Sequence, residues 1–274
     1  RAPGGGVPPS GGRDLTPPAP WTQRDAMPAP PAWPPRSAPR LFVEPTLTQG
    51  ETRRIDGNAA HYLAQVMRVK PGDAVILCDD VSGEWAARVE DVAKRHVTLT
   101  LVELLRPREP VPDLWLVIAP IKKPHFDLVL EKATELGVDR IVPVLTRRSV
   151  VDKVNAERAA TIISEAAEQC ARTALPSLAP LMPLAKLLAD WPSDRALFLA
   201  DELGGEPAAA AFAAVGVPAA ILIGPEGGFD DSERSAIRAL PQARAITLGP
   251  RILRAETAAI AATSLWMASA GDWR

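Results

Sequence analysis

Two stretches in the last third of the chain decide its fold. They are Ile221-Leu222-Ile223-Gly224-Pro225-Glu226-Gly227-Gly228-Phe229 and Ile246-Thr247-Leu248-Gly249-Pro250-Arg251-Ile252-Leu253-Arg254-Ala255-Glu256-Thr257. Each opens with a short apolar run, which reads as a buried strand, and breaks sharply at Gly and Pro. Gly224, Gly227, Gly228 and Gly249 leave room for a ligand against the main chain. In open α/β sheets, ligands bind beyond the carboxyl ends of strands. Two bare strand ends beside Arg and Glu therefore read as a small-molecule pocket rather than as two ordinary turns.

Working outward from this region, the rhythm is strand then helix. Apolar runs at 114–119, 141–145, 196–200, 219–223 and 245–248 read as strands of a sheet covered on both faces. Helices are expected at about 125–136, 155–172, 207–215, 232–240 and 256–269. In the first, Phe126, Val129, Leu130 and Ala133 share a face, and Gly137 suits the position after the helix. In the second, the stripe is Ile162, Ile163, Ala166 and Cys170, which makes Cys170 a packing residue. Alternation of this kind implies a mostly parallel sheet.

Upstream the pattern is different. Residues 40–107 are β-rich, with strands at 74–78, 84–89 and 96–102 and a hairpin signal at 79–83. A short helix is expected at 59–66, with Asn58 as its N-cap. Residues 106–112 form a linker to the α/β part at 108–274. Residues 1–39, dense in Pro, Gly and Ala, are expected to be disordered, with Met27 a candidate natural start.

Composition narrows the function. With 274 residues and 47% hydrophobic content, the chain can build a sizeable core. Its net charge of −2 gives no global attraction to nucleic acid, so any such contact must come from local patches. Candidates are Arg53-Arg54 and Arg68-Val69-Lys70 in the β-rich part, and Arg147-Arg148 and Arg251 at strand ends. Cys78 and Cys170 make no disulfide framework, and His61, His96 and His125 are too scattered for a metal site. No long apolar span or leader pattern appears, so a cytoplasmic protein without a membrane partner is expected. P-loop, dinucleotide-binding and nucleophile-elbow motifs are all missing.

What remains is a backbone-lined pocket suited to an adenosine-like ligand. Leu199, Leu222, Leu248 and Leu253 are placed to sandwich a ring, and Gly224, Gly227, Gly249 and Glu226 to meet the rest. Arg251 and Arg254 suit phosphates or a developing anion.

From Arg40 to Ala270 the chain resembles the RsmE family of ribosomal RNA uridine-N3 methyltransferases, within the knotted SPOUT class. The resemblance rests on Arg40-Leu41-Phe42, Lys132-Ala133-Thr134-Glu135-Leu136-Gly137-Val138, Ala167-Glu168-Gln169-Cys170 and the two glycine stretches. It implies a small PUA-like β-barrel before an α/β domain with a trefoil knot. It also implies S-adenosylmethionine bound in the knot, a homodimer, and a uridine of 16S RNA in the 30S subunit as substrate. Arg254 or Arg172 becomes the candidate stabiliser of charge, and Glu256 the candidate base. Two departures stand out: Ala171-Arg172-Thr173 replaces the usual Gly-Arg-Asn, and Ala255 replaces Thr. Rival readings are a SPOUT enzyme acting on transfer RNA or on a ribose 2′-OH, and an RNA-binding protein without catalysis.

Overall fold

A computed structural model describes residues 33–273. It shows two sheets, each with its own core. The first sheet contains β1 (Arg40–Phe42), β2 (Thr52–Asp56), β3 (Ala74–Cys78), β4 (Glu84–Val92) and β5 (His96–Arg106), in the order β1-β3-β4-β5-β2. β1 pairs parallel to β3 and the other pairs are antiparallel. The expected hairpin at 79–83 is present. Asp79 closes it by accepting the amides of Val81, Ser82 and Gly83. The helix is shifted from expectation. α1 (Gly57–His61) starts at Gly57 with Asp56 as N-cap, and one π turn, Tyr62–Val66, follows. Asn58 therefore lies inside the helix, and no side chain caps it. β2 was not expected, because Arg53 and Arg54 interrupt its apolar pattern.

The second sheet is parallel throughout. It contains β6 (Leu114–Ile118), β7 (Arg140–Leu145), β8 (Ser177–Leu178), β10 (Ala196–Ala200), β11 (Glu206–Pro207), β12 (Ala219–Ile223) and β13 (Ala243–Thr247), with β9 (Met182–Pro183) beside β7. The order is β11-β13-β10-β12-β6-β7-β8. Period-two alternation sends side chains to opposite faces. Leu116, Ile118, Ile221, Ile223 and Ile246 face α2 (Lys123–Glu135), α3 (Ala156–Cys170), α5 (Ala208–Val215) and α7 (Ala255–Ser269). Val117, Leu197, Leu199, Ala220 and Leu222 face α4 (Leu184–Ala189) and α6 (Asp231–Arg238). Each fully buried Leu or Ile contributes about 1.5–3 kcal/mol, so both faces hold the sheet in place.

The α2 stripe is buried as expected, and Gly137 follows the helix with φ 93°. α3 is capped by Asn155, whose side chain accepts the Arg158 amide. Cys170 departs from its expected packing role: it continues the stripe of Ile163, Ala166 and Ala167 but is exposed, because it is the last residue of the helix. Of the tail expected to be disordered, residues 1–32 lie outside the described residues. Within 33–39, Trp33 lies under the Arg88 guanidinium, 5.1 Å from its ring centre, and Pro39 accepts the Ile76 amide. No described helix is long and apolar enough to cross a membrane.

Candidate active site

β10, β12 and β13 are neighbours in the sheet and end at the same edge. Beyond that edge lies a cavity of about 450 Å³. One wall is Ala200, Asp201 and Glu202 after β10. A second is the bend from Ile223 to Phe229, and a third runs from Ile246 through Gly249 and Arg251 to Arg254. Ala255 and Ala258 of α7 close it.

The first bend is fixed by close packing. A Cβ at Gly224 would meet the Phe229 ring at 2.9 Å, and one at Gly228 would sit 2.8 Å from Glu202 Oε1. Gly228 also has φ 66°, which disfavours any side chain. α6 then starts with a complete capping box. Asp230 accepts the Glu233 amide and Glu233 accepts the Asp230 amide. The Glu233 amide, then the Ser232 hydroxyl, hold the Asp230 carboxyl below its ordinary range. From α6, Arg234 pairs with Asp201 and reaches Glu202 at 2.7 Å, and Arg238 reaches Asp201 at 2.8 Å. Two arginines thus tie the loop after β10 to the helix that follows the first bend.

Most expected site residues converge here. Gly224, Glu226, Gly227, Leu248, Gly249, Leu253, Arg251 and Arg254 all line the cavity. Arg147 and Arg148, on the loop after β7, are stitched to the same bend. The Arg147 amide donates to Glu233, its guanidinium lies 3.3 Å from Asp230, and Arg148 donates to the Gly227 carbonyl at 2.9 Å.

Four expectations need correction. Leu199 and Leu222 do not line the cavity, because strand alternation turns both into the core under α4 and α6. Ala200 and Ile223 take the lining positions one residue later. Arg172 is buried at the other edge of the sheet. It donates to the carbonyls of Thr134 and Val138, 2.8 Å each, where α2 ends and β7 begins. A five-residue strand at about 3.3 Å per residue separates the two edges, so Arg172 clamps the scaffold. Burial lowers its pKa from the usual guanidinium value. Glu256 sits on the first turn of α7 but faces α2, where Oε1 lies 3.1 Å from Nδ1 of His125.

In the β-rich part, Arg53 pairs with Glu51 and Arg54 with Asp56, while Arg68 and Lys70 are exposed. None of the four lines the cavity. Sequence reading missed a groove of about 400 Å³ where Arg54 joins His61, Lys94, Arg95 and His96. It also missed Asp201, Glu202 and Arg234. The Gly204-Gly205 pair after β10 was the available signal for that third strand end.

Comparison with known proteins supports this architecture. The RNA methyltransferase domain family matches residues 107–267, and the RNA methyltransferase PUA domain family matches residues 55–102. The ribosomal RNA small subunit methyltransferase E of Bacillus subtilis is 30% identical over 82% of this chain and 94% of its own length. The chain belongs to this methyltransferase E family. The Synechocystis member is 32% identical, over 81% of this chain and 72% of its own. The crystal structure of the Neisseria gonorrhoeae member, bound to S-adenosyl methionine, aligns with a TM-score of 0.78 and 26% identity. It covers 86% of this chain and all of that one. The SPOUT-class α/β fold after a PUA-type β domain is thus the family's fold and this chain's.

Proposed function

We propose that this protein transfers a methyl group from S-adenosylmethionine to N3 of one uridine in small-subunit ribosomal RNA. The observation that carries the reading is the cavity between the two glycine bends, with Arg254 among its lining residues.

The residues present fit the donor. The cavity lies within the range of roughly 300–1,000 Å³ typical of small-ligand sites. Ile223, Leu248 and Leu253 offer apolar surface to an adenine, while the bare main chain of both bends offers hydrogen bonds to its edge. Glu202 and Glu226 offer carboxylates to a ligand with a sulfonium and an ammonium. Bound there, the donor supplies a methyl carbon made electrophilic by its sulfonium.

The chain's own residues do the rest. Uridine N3 must lose a proton, and the resulting charge spreads onto O2 and O4. Arg254, at the N-cap of α7, brings a permanent positive charge to the end of a helix whose dipole favours anions. Arg147, Arg148 and Arg251 ring the same edge and suit the phosphates on either side of the target base. Ile252, 87% exposed beside the cavity, supports a homodimer that covers this edge. The strand order, with β13 and β12 flanking β10, agrees with a chain threaded as a trefoil knot.

Calorimetry with S-adenosylmethionine, paired with methylation of 30S subunits, tests the reading. Donor binding at a one-to-one ratio and formation of 3-methyluridine support it; a protein that ignores the donor is not a methyltransferase. Arg254→Ala is expected to lower kcat about 100-fold with donor affinity little changed, and unchanged turnover removes Arg254 from the mechanism. Free 16S RNA is expected to be a poorer substrate than the 30S particle.

A further inference from the structure

His125 has a partner that its sequence context does not reveal. It stands on the first turn of α2, directly after β6, and its Nδ1 lies 3.1 Å from Glu256 Oε1. β6 is hydrogen-bonded to β12, so α2 starts at the same sheet edge as the glycine bends. On α7, Arg254 and Ala255 line the cavity and Glu256 is the next residue. The residue that holds the imidazole is thus one helix position from the cavity wall. Its side chain is 41% exposed, and its Nε2 engages no other described residue. Glu256 is 11% exposed and has no other ion pair among the described residues. A buried carboxylate that orients one ring nitrogen while the other faces solvent is the arrangement of a general base.

We propose that His125, oriented by Glu256, accepts the N3 proton of the target uridine. This rests on the methyltransferase reading above and adds the proton acceptor to it. The N3–H bond breaks, its electron pair stays on N3, and the proton moves to Nε2. The Nδ1–H remains with Glu256, which stabilises the imidazolium. The N3 pair then bonds to the methyl carbon as the C–S bond breaks and its electrons return to sulfur. The imidazolium later releases its proton to water. Glu256 is a positioning residue here, which explains why it faces α2 instead of the cavity.

The charged groups on the elements around this turn are few. Lys122 and Lys123 lie on its own start, Arg254 and Glu256 on α7, and Glu157 and Arg158 on α3, where Arg158 is engaged by Asp127 at 2.6 Å. Glu256 is the only one of them in contact with the ring among the described residues.

Two measurements test this. Nitrogen NMR of the free protein is expected to show His125 with its neutral-state proton on Nδ1 and a bare Nε2, and Glu256→Ala to remove that preference. A proton on Nε2 in the wild type overturns the proposal. Single-turnover methylation of 30S subunits is then followed against pH for wild type and His125→Asn. The variant is expected to be about 100-fold slower at neutral pH, with donor KM unchanged, and to recover in proportion to hydroxide as pH rises. A variant with the wild-type profile overturns the proposal while leaving the methyltransferase reading intact. Recovery of the variant at high pH shows that the fold and the donor site survive. A wild type that methylates at no pH overturns that reading and the proposal together.

Discussion

At the scale of single residues, Ala171 and Thr173, the two altered positions of Ala171-Arg172-Thr173 at the end of α3, acquire physical meaning. Ala171 adopts φ 61° at the position after the helix, a left-handed conformation that glycine adopts freely. Ala171→Gly is expected to raise stability by up to about 1 kcal/mol, read as a higher urea midpoint with methylation unchanged. Thr173 accepts the Glu109 amide on its hydroxyl at 2.9 Å, so its role is to tie the linker down. Arg172→Ala is expected to cost about 2–3 kcal/mol, because the Thr134 and Val138 carbonyls lose their donor. The kcat of the remaining folded protein is expected to stay within twofold, which separates a clamp from a catalyst. Arginine chemistry was legible in the sequence; which edge of the sheet Arg172 occupies was not. A guanidinium that holds two carbonyls and one that holds an oxyanion are the same letter in the chain. For Glu256 and His125 the gap is 131 residues, and only the packing of α7 on α2 closes it.

At the scale of elements, the site depends on how α6 is started. The capping box of Asp230 and Glu233 fixes the exit of the first bend, and Arg147 leans on the same carboxylate. Asp230→Ala is expected to lower stability by about 1 kcal/mol and to weaken donor binding more than the distant Thr161→Ala does, as titration calorimetry will show. The strands, the parallel sheet and five helices were legible because their apolar periods are long and clean. Leu199 and Leu222 show where that reading stopped short. Both were seen as apolar residues near strand ends, but alternation alone decides the face. With Ile223 turned toward α7, Leu222 must turn toward α6. α4, β8, β9 and β11 were missed because they are short and partly Pro-bounded, so no period can be established in them.

At the scale of the whole molecule, the two sheets are joined by polar contacts. Glu168 of α3 accepts the Phe42 amide at 2.8 Å, Arg106 donates to the Ala171 carbonyl, and Asp80 accepts the Leu175 amide at 2.9 Å. Next to this seam Glu84 is buried between Arg40 and Arg106. Burial works to raise its carboxyl pKa, but the hydrogen bonds and charges of the two arginines outweigh it and hold the value below the ordinary range. A carboxyl depressed in the folded state contributes stability that is complete above its unfolded value, about 4.3. That contribution is lost as pH falls through the lower folded value. Wild type is therefore expected to lose urea resistance below about pH 4 more steeply than Glu84→Gln. None of this seam was legible, since it joins residues 40 to 175 across two separately patterned regions.

The cavity has one more consequence. Its walls begin at residue 200 and are finished only by the start of α7, whose far side rests on a helix made 130 residues earlier. Synthesis therefore delivers the β domain and half of the parallel sheet well before anything able to hold a nucleoside exists. A nascent chain stalled short of that last helix has no finished cavity in which to hold a methyl donor, so incomplete copies are expected to be inert rather than promiscuous.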